Sequence, residues 1–216
     1  MIKNILNLHL EILSKERQKL LEEIVPYTKG FILGGGTALA LQLNHRQSYD
    51  FDFFSTPLLA KNLLEKLSQT ILITTIAVDS RDELTFFTKD GIKVTFLHYP
   101  FGYAFPIKKL ENGLNLFSVK DIAIKKAYTI GRRGEYRDYF DLYTILKDDH
   151  ISLEELSRET KKIYGSIFEE KIFLEQLVYF KDLQNFDILP VSAVSIASPK
   201  VVESFFNNLV SKYLKE

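Results

Sequence analysis

Residues 34–54 read GGGTALALQLNHRQSYDFDFF, and the apolar run Phe31-Ile32-Leu33 leads into them. That run predicts a short strand that breaks at the three glycines. Thr37 to Leu43 predicts a helical turn or two, and Tyr49 to Phe54 alternates acids with aromatics, the period of a strand with one acidic and one buried face. Residues two apart on a strand project from the same side, so Asp50 and Asp52 present neighbouring carboxylates, while Phe51 and Phe53 anchor the strand in the core. Two such carboxylates repel unless a cation lies between them. Magnesium suits the pair, because it takes hard oxygen ligands, commonly one or two carboxylates plus substrate phosphates. Without Cβ atoms, Gly35 and Gly36 let backbone N–H groups approach phosphate oxygens, and the following helix offers its N-terminus to an anion. Thr37 adds a hydroxyl, and Ser48 lies in the turn before the acidic strand. A triple glycine alone is more often a tight turn, and Asp-x-Asp alone is common on surface strands. The reading rests on the coincidence of strand, glycines, helix and acidic strand within one short segment. No Walker lysine follows the glycines and no G-x-G-x-x-G is present, which excludes the P-loop and Rossmann readings.

On the N-terminal side, leucines and isoleucines at helical spacing predict an amphipathic helix over residues 3–25, ended by Pro26. On the C-terminal side a helix is predicted over 57–68, then strands over 71–78, 83–88 and 92–97. The last two are joined by Lys89-Asp90-Gly91, a hairpin signal. From Ser118 onward helical spacing takes over, with helices predicted over 118–131, 136–147, 152–163, 167–179 and 199–214. Ser118 is placed as an N-cap, with Asp121 in the first turn. Residues 100–117 hold Pro100, Gly102, Pro106 and Gly113 and mark the change of texture. The expectation is an α+β chain with a mixed-sheet core over 1–105 and a helical domain over 106–216.

The bulk properties narrow the function classes. A chain of 216 residues with 46% hydrophobic content buries a real core. Lys plus Arg and Asp plus Glu both number 28, so no whole-molecule field draws it to nucleic acid or membrane. It has no cysteine, which removes disulfides, zinc-thiolate sites and thiol nucleophiles. Charges interrupt the leucines of residues 1–21, unlike a signal peptide, and no uncharged apolar run has a membrane span's length. A cytoplasmic location with no membrane partner is expected. His9, His45, His98 and His150 are scattered without metal-ligand spacing, against a histidine-assisted phosphohydrolase.

Charge is local instead. Residues 105–140 hold eight Lys or Arg against four Asp or Glu, including Lys125-Lys126, Arg132-Arg133 and Arg137. A triphosphate or RNA backbone would be attracted there, although a solvated helical face is the commoner meaning of any single lysine. Asp138 and Asp141, three apart, share one helix face.

Together, residues 34–54 and residues 118–146 (SVKDIAIKKAYTIGRRGEYRDYFDLYTIL) resemble the AbiEii/AbiGii toxin family, polymerase-β-like nucleotidyltransferases that serve as toxins of type IV toxin–antitoxin systems. The likeness covers residues 30–147. It implies a polymerase-β-like nucleotidyltransferase core followed by a C-terminal helical bundle. It also implies transfer of an NMP from an NTP, with Mg2+ or Mn2+, to an acceptor hydroxyl on a tRNA 3′ end or a protein, and a cognate antitoxin partner. By the resemblance, Asp50 and Asp52 match the metal-binding pair, and Gly35, Gly36 and Thr37 match the nucleotide loop. Lys126, five residues after Asp121, matches a triphosphate-contacting lysine, with Arg133 a candidate helper. Asp138 matches a candidate base or metal-site helper. One departure stands out: such enzymes usually carry a third carboxylate on a later strand, and Thr95 occupies the matching place. That departure is the best support for the alternative expectation, a catalytically degenerate fold that binds nucleotide or RNA without turnover.

Overall fold

A computed structural model describes residues 8–191 and 196–215. The chain divides into two compact units. One comprises Met1–Gly102 and Pro106–Ser118, the other Tyr103–Phe105 and Val119–Glu216.

The first unit is built on a seven-stranded mixed sheet: β1 (Ile32–Gly34), β2 (Phe51–Ser55), β3 (Ile73–Asp79), β4 (Glu83–Thr88), β5 (Lys93–His98), β6 (Lys108–Lys109) and β7 (Asn115–Leu116), in the order β3-β4-β5-β2-β1-β7-β6. β2/β5 and β1/β7 are parallel and the remaining pairs antiparallel. Alternation decides which face is buried. Phe51, Phe53, Leu84, Phe86, Val94 and Phe96 are at most 1% exposed, and Phe53 stacks on Phe96 with ring centroids 5.0 Å apart. Gly91, at φ +70°, turns β4 into β5 where the Asp-Gly pair predicts it.

Helix α1 (Lys15–Ile24) buries Leu20, Leu21 and Ile24, and Ser14 caps it by accepting from the Arg17 amide. It is shorter than expected because a one-turn 3-10 segment, Leu10–Ile12, precedes it; residues 3–7 of the predicted helix lie outside the described residues. Pro26 falls in the turn that follows. Helix α2 (Gly35–Leu43) follows β1 directly, and α3 (Leu63–Ser68) is half the predicted length.

β6 and β7 fall in residues 100–117, where no strand is predicted. They are two residues each, too short for a periodic signal, and β7 exists because Leu116 pairs with Leu33 of β1. That pairing keeps residues 106–118 with the sheet.

The second unit is helical: α4 (Val119–Thr129), α5 (Tyr136–Lys147), α6 (Leu153–Tyr164), α7 (Glu170–Leu177) and α8 (Pro199–Tyr213). Ser152 caps α6 through the Glu155 amide at 3.0 Å, and Pro199 starts α8, where a missing N–H costs nothing. No helix among the described residues is long and apolar enough to cross a membrane.

Candidate active site

In the first unit the glycine turn and the acidic strand are adjacent. Gly34 is the register partner of Asp52 across β1/β2, so the turn that begins α2 lies next to the acid. Gly35 has φ +65°, a left-handed conformation open to glycine, and a Cβ there would sit 2.5 Å from Asp52 Oδ2. The Asp52 carboxylate therefore rests on the glycine, and this contact explains the residue type at position 35. Gly35→Ala should cost about 1–3 kcal/mol in stability, from the left-handed backbone and the displaced carboxylate, and thermal denaturation would read it.

Gly36 is explained differently. The space that its Cβ would fill is taken by the Arg46 guanidinium, with Ser48 Oγ beside it. Arg46 is 4% exposed and donates to the Gln47 carbonyl at 2.8 Å. It sets fixed positive charge against the turn, an arrangement that favours anions there. Gly34, the N-cap of α2, has no side chain with which to cap the helix, so the first-turn amides gain no side-chain acceptor from it.

Thr37 and Ser48 act as fasteners. Their hydroxyl oxygens are 2.9 Å apart, both residues are buried, and Thr37 donates to the Asp50 carbonyl. One hydroxyl thus ties the start of α2 to the residue that opens the acidic strand. Arg17 of α1 holds the same segment from another side, donating to the Tyr49 carbonyl at 3.1 Å with its guanidinium over the Tyr49 ring. Asp50 immediately precedes β2, and both Asp50 and Asp52 are partly exposed.

No group of three or more His, Cys, Asp or Glu fit to hold a metal occurs among the described residues. The donors present nevertheless fit a hard divalent cation. Two partly exposed carboxylates two residues apart, with that of Asp52 against the turn that begins α2, match magnesium's habit of completing its shell with water and substrate phosphates.

The second unit carries the other candidate residues. Lys126 Nζ lies 2.6 Å from Asp138 Oδ1 and 2.6 Å from Asp141 Oδ2, and the three side chains are 7%, 2% and 0% exposed. Arg133, 60% exposed, grips Asp138 through two bonds of 2.7 and 2.9 Å. Burial works to raise the Asp138 pKa, but the Lys126 and Arg133 charges and hydrogen bonds outweigh it and hold the carboxyl below its usual range. Asp138 is thereby kept as an anion that orients Lys126 and Arg133. Asp121 is fully buried and accepts from the Ala104 and Phe105 amides, at 2.7 and 3.2 Å. Helical spacing, legible in the sequence, brings Asp138 and Asp141 together; the contribution of Arg17 and Arg46 carries no local signal.

Residues 19–113 match the profile of the family described as Nucleotidyl transferase AbiEii toxin, Type IV TA system. An uncharacterised protein of Aquifex aeolicus is 34% identical over 215 residues, covering 94% of this chain and 98% of that protein. Two solved structures share the fold. JHP933 from Helicobacter pylori is 20% identical with TM-score 0.58, covering 96% of this chain and 95% of that one. MenT4, a nucleotidyltransferase toxin from Mycobacterium tuberculosis, is 14% identical with TM-score 0.61, covering 91% and 81%. The mixed sheet followed by helices is thus the polymerase-like fold of nucleotidyltransferases, and the chain belongs to the AbiEii nucleotidyl transferase toxin family.

Proposed function

We propose that the protein is a magnesium-dependent nucleotidyltransferase that moves an NMP from an NTP to an acceptor hydroxyl, on a tRNA 3′ end or a protein. Acting as a toxin in the cytoplasm, it would be held in check by a cognate antitoxin. The observation that carries this reading is the Asp52 carboxylate resting on the left-handed Gly35 at the start of α2. Metal ligand and phosphate-binding amides are the two parts such a transfer needs side by side.

Each residue has a task. Asp50 and Asp52 hold the cation, which when bound screens the charge of the triphosphate and its pyrophosphate leaving group (Mn2+ can replace Mg2+). The Gly35 and Gly36 amides bind phosphate oxygens, helped by the Arg46 charge. Thr37 and Ser48 serve nucleotide binding by locking the turn to the acidic strand. In the helical unit, Lys126 and Arg133 are the cations that the family resemblance assigns to the triphosphate, and Asp138 orients both.

The test is to incubate the full chain with each labelled NTP, Mg2+ and either total RNA or a protein lysate. Label on RNA selects the tRNA-type acceptor, and label on protein the other. Expression of the wild type should slow growth, while Asp50→Ala should not. Thr95, in place of an acid, favours a second reading as a nucleotide- or RNA-binding module; retention of nucleotide without transfer of label would select it.

A further inference from the structure

The two acids of the candidate site are fixed by different means. Asp52 lies within the sheet, in register with Gly34 of β1 and Thr95 of β5. Asp50 precedes the first rung to β5, Phe51–Val94, and the first to β1, Asp52–Gly34. Side chains from two helices hold the backbone there instead. The Tyr49 carbonyl accepts from Arg17 Nε of α1 at 3.1 Å, and the Asp50 carbonyl accepts from the Thr37 hydroxyl of α2. Both directions are fixed by chemistry, because a carbonyl oxygen only accepts and a guanidinium N–H only donates.

Peptide planarity turns these two bonds into control of one side chain. The Tyr49 carbonyl and the Asp50 N–H move as one rigid plate, and the Asp50 carbonyl and the Phe51 N–H as the next. The orientations of the two plates about the Asp50 Cα are its φ and ψ, and together they aim its Cα–Cβ bond. Arg17 holds the first plate and Thr37 the second. Arg17 is braced in turn: its Nη1 donates to Ser14 Oγ at 3.3 Å, and its guanidinium carbon lies 4.9 Å from the centre of the Tyr49 ring. The Tyr49 hydroxyl donates to Gln47 Oε1 at 2.9 Å, which steadies that ring. Helix α1 gives no reason of its own for an arginine here, since a cation in the first turn opposes the helix dipole. A cation site nearby gives no electrostatic reason either, since like charges repel.

We propose that Arg17 is a positioning residue for divalent-cation binding, which aims the Asp50 carboxylate by holding the Tyr49 carbonyl. This rests on the reading of Asp50 and Asp52 as cation ligands. The hydrogen bond carries the role, and the charge works against it.

Two substitutions of equal length separate bond from charge. Gln places its amide nitrogen as many bonds from Cα as the Arg17 Nε and keeps a donor without the charge; Met places a methyl there and keeps neither. The readout is the Mn2+ affinity of the full chain, from the electron paramagnetic resonance of free Mn2+, with no nucleotide and no turnover. Arg17→Met should weaken Mn2+ binding about tenfold, the usual weight of an outer-shell partner, even though it removes a nearby positive charge. Arg17→Gln should bind at least as tightly as wild type, because the donor stays and the repulsion goes. Both variants lose the contact of the guanidinium with the Tyr49 ring, so a merely structural role would move their affinities together. Unchanged or tighter binding in Arg17→Met overturns the proposal, as does equal weakening in Arg17→Met and Arg17→Gln. If Asp50→Ala weakens binding while Arg17→Met does not, only the Arg17 assignment falls. If Asp50→Ala binds Mn2+ like wild type, Arg17 has no ligand to aim and the proposal falls; if Asp52→Ala does so too, the cation site falls with it.

Discussion

Asp52→Ala should lower the rate of NMP transfer by at least about a thousandfold, roughly 4 kcal/mol of transition-state stabilisation, with the effect on kcat exceeding that on KM. The size of the effect follows from how Asp52 is placed. Its backbone is fixed on both sides, by Gly34 of β1 and Thr95 of β5, in an inner strand of the sheet, so no neighbouring residue can slide into its position. Its side chain sits on Gly35, and the residue across β5 is a threonine, which cannot substitute a charge. The fold should tolerate the change. The strand is anchored by Phe51 and Phe53 on the opposite, fully buried face, whereas Asp52 is partly exposed. The expected signature is loss of labelled product with the circular dichroism spectrum retained and the melting temperature shifted by no more than a few degrees. Equal transfer by wild type and Asp52→Ala would remove the metal-site assignment.

Lys126→Ala should be among the most destabilising single changes in the helical unit, by about 3–5 kcal/mol. The ammonium lies between two aspartates in the interior, 2.6 Å from each, and removing it leaves neighbouring buried carboxylates without the cation that separates them. Arg133 still reaches Asp138, but from a largely exposed position where solvent weakens its compensation. Chemical denaturation at neutral pH measures the loss. Replacing the cluster together, Lys126→Met with Asp138→Asn and Asp141→Asn, should cost less than Lys126→Ala alone, since no uncompensated charge is then left behind. A Lys126→Ala protein as stable as wild type would refute the ion-pair account.

The same cluster gives a pH dependence whose sign is determined. Asp138 is held below the usual carboxylate range in the folded state, so the stabilisation it brings is fully present above the unfolded value, near about 3.9. It is lost as pH falls from there through the lowered folded value. Melting temperatures measured downward from pH 5 should fall below about pH 4, and Asp138→Asn should lack that part of the fall. A drop of equal size in Asp138→Asn would assign the acid sensitivity to other carboxylates.

What local periodicity encodes was legible without the structure. The alternation of Asp50, Phe51, Asp52 and Phe53 marks a strand with its acids on one side, and helix α5 spans the expected residues 136–147 because its buried residues recur at helical spacing. The glycine turn before α2 was legible too, although which atoms fill the missing Cβ positions was not. Helix α7 came out shorter than its pattern, at Glu170–Leu177, because Gly165–Ile167 forms a separate 3-10 turn and Glu169 takes the cap position.

Residue order alone determined the composition limits, the acidic strand, the glycine turn and the succession of a mixed sheet by helices, since each depends on neighbours within a few positions. Tertiary structure decided that Leu116 pairs with Leu33, that Thr95 stands beside Asp52, that Arg46 fills the hollow at Gly36, and that Lys126 lies between Asp138 and Asp141. Strand register and the packing of a long cationic side chain are settled by which surfaces exclude water together. Along the chain, the partners brought together in this way are 10 to 83 residues apart.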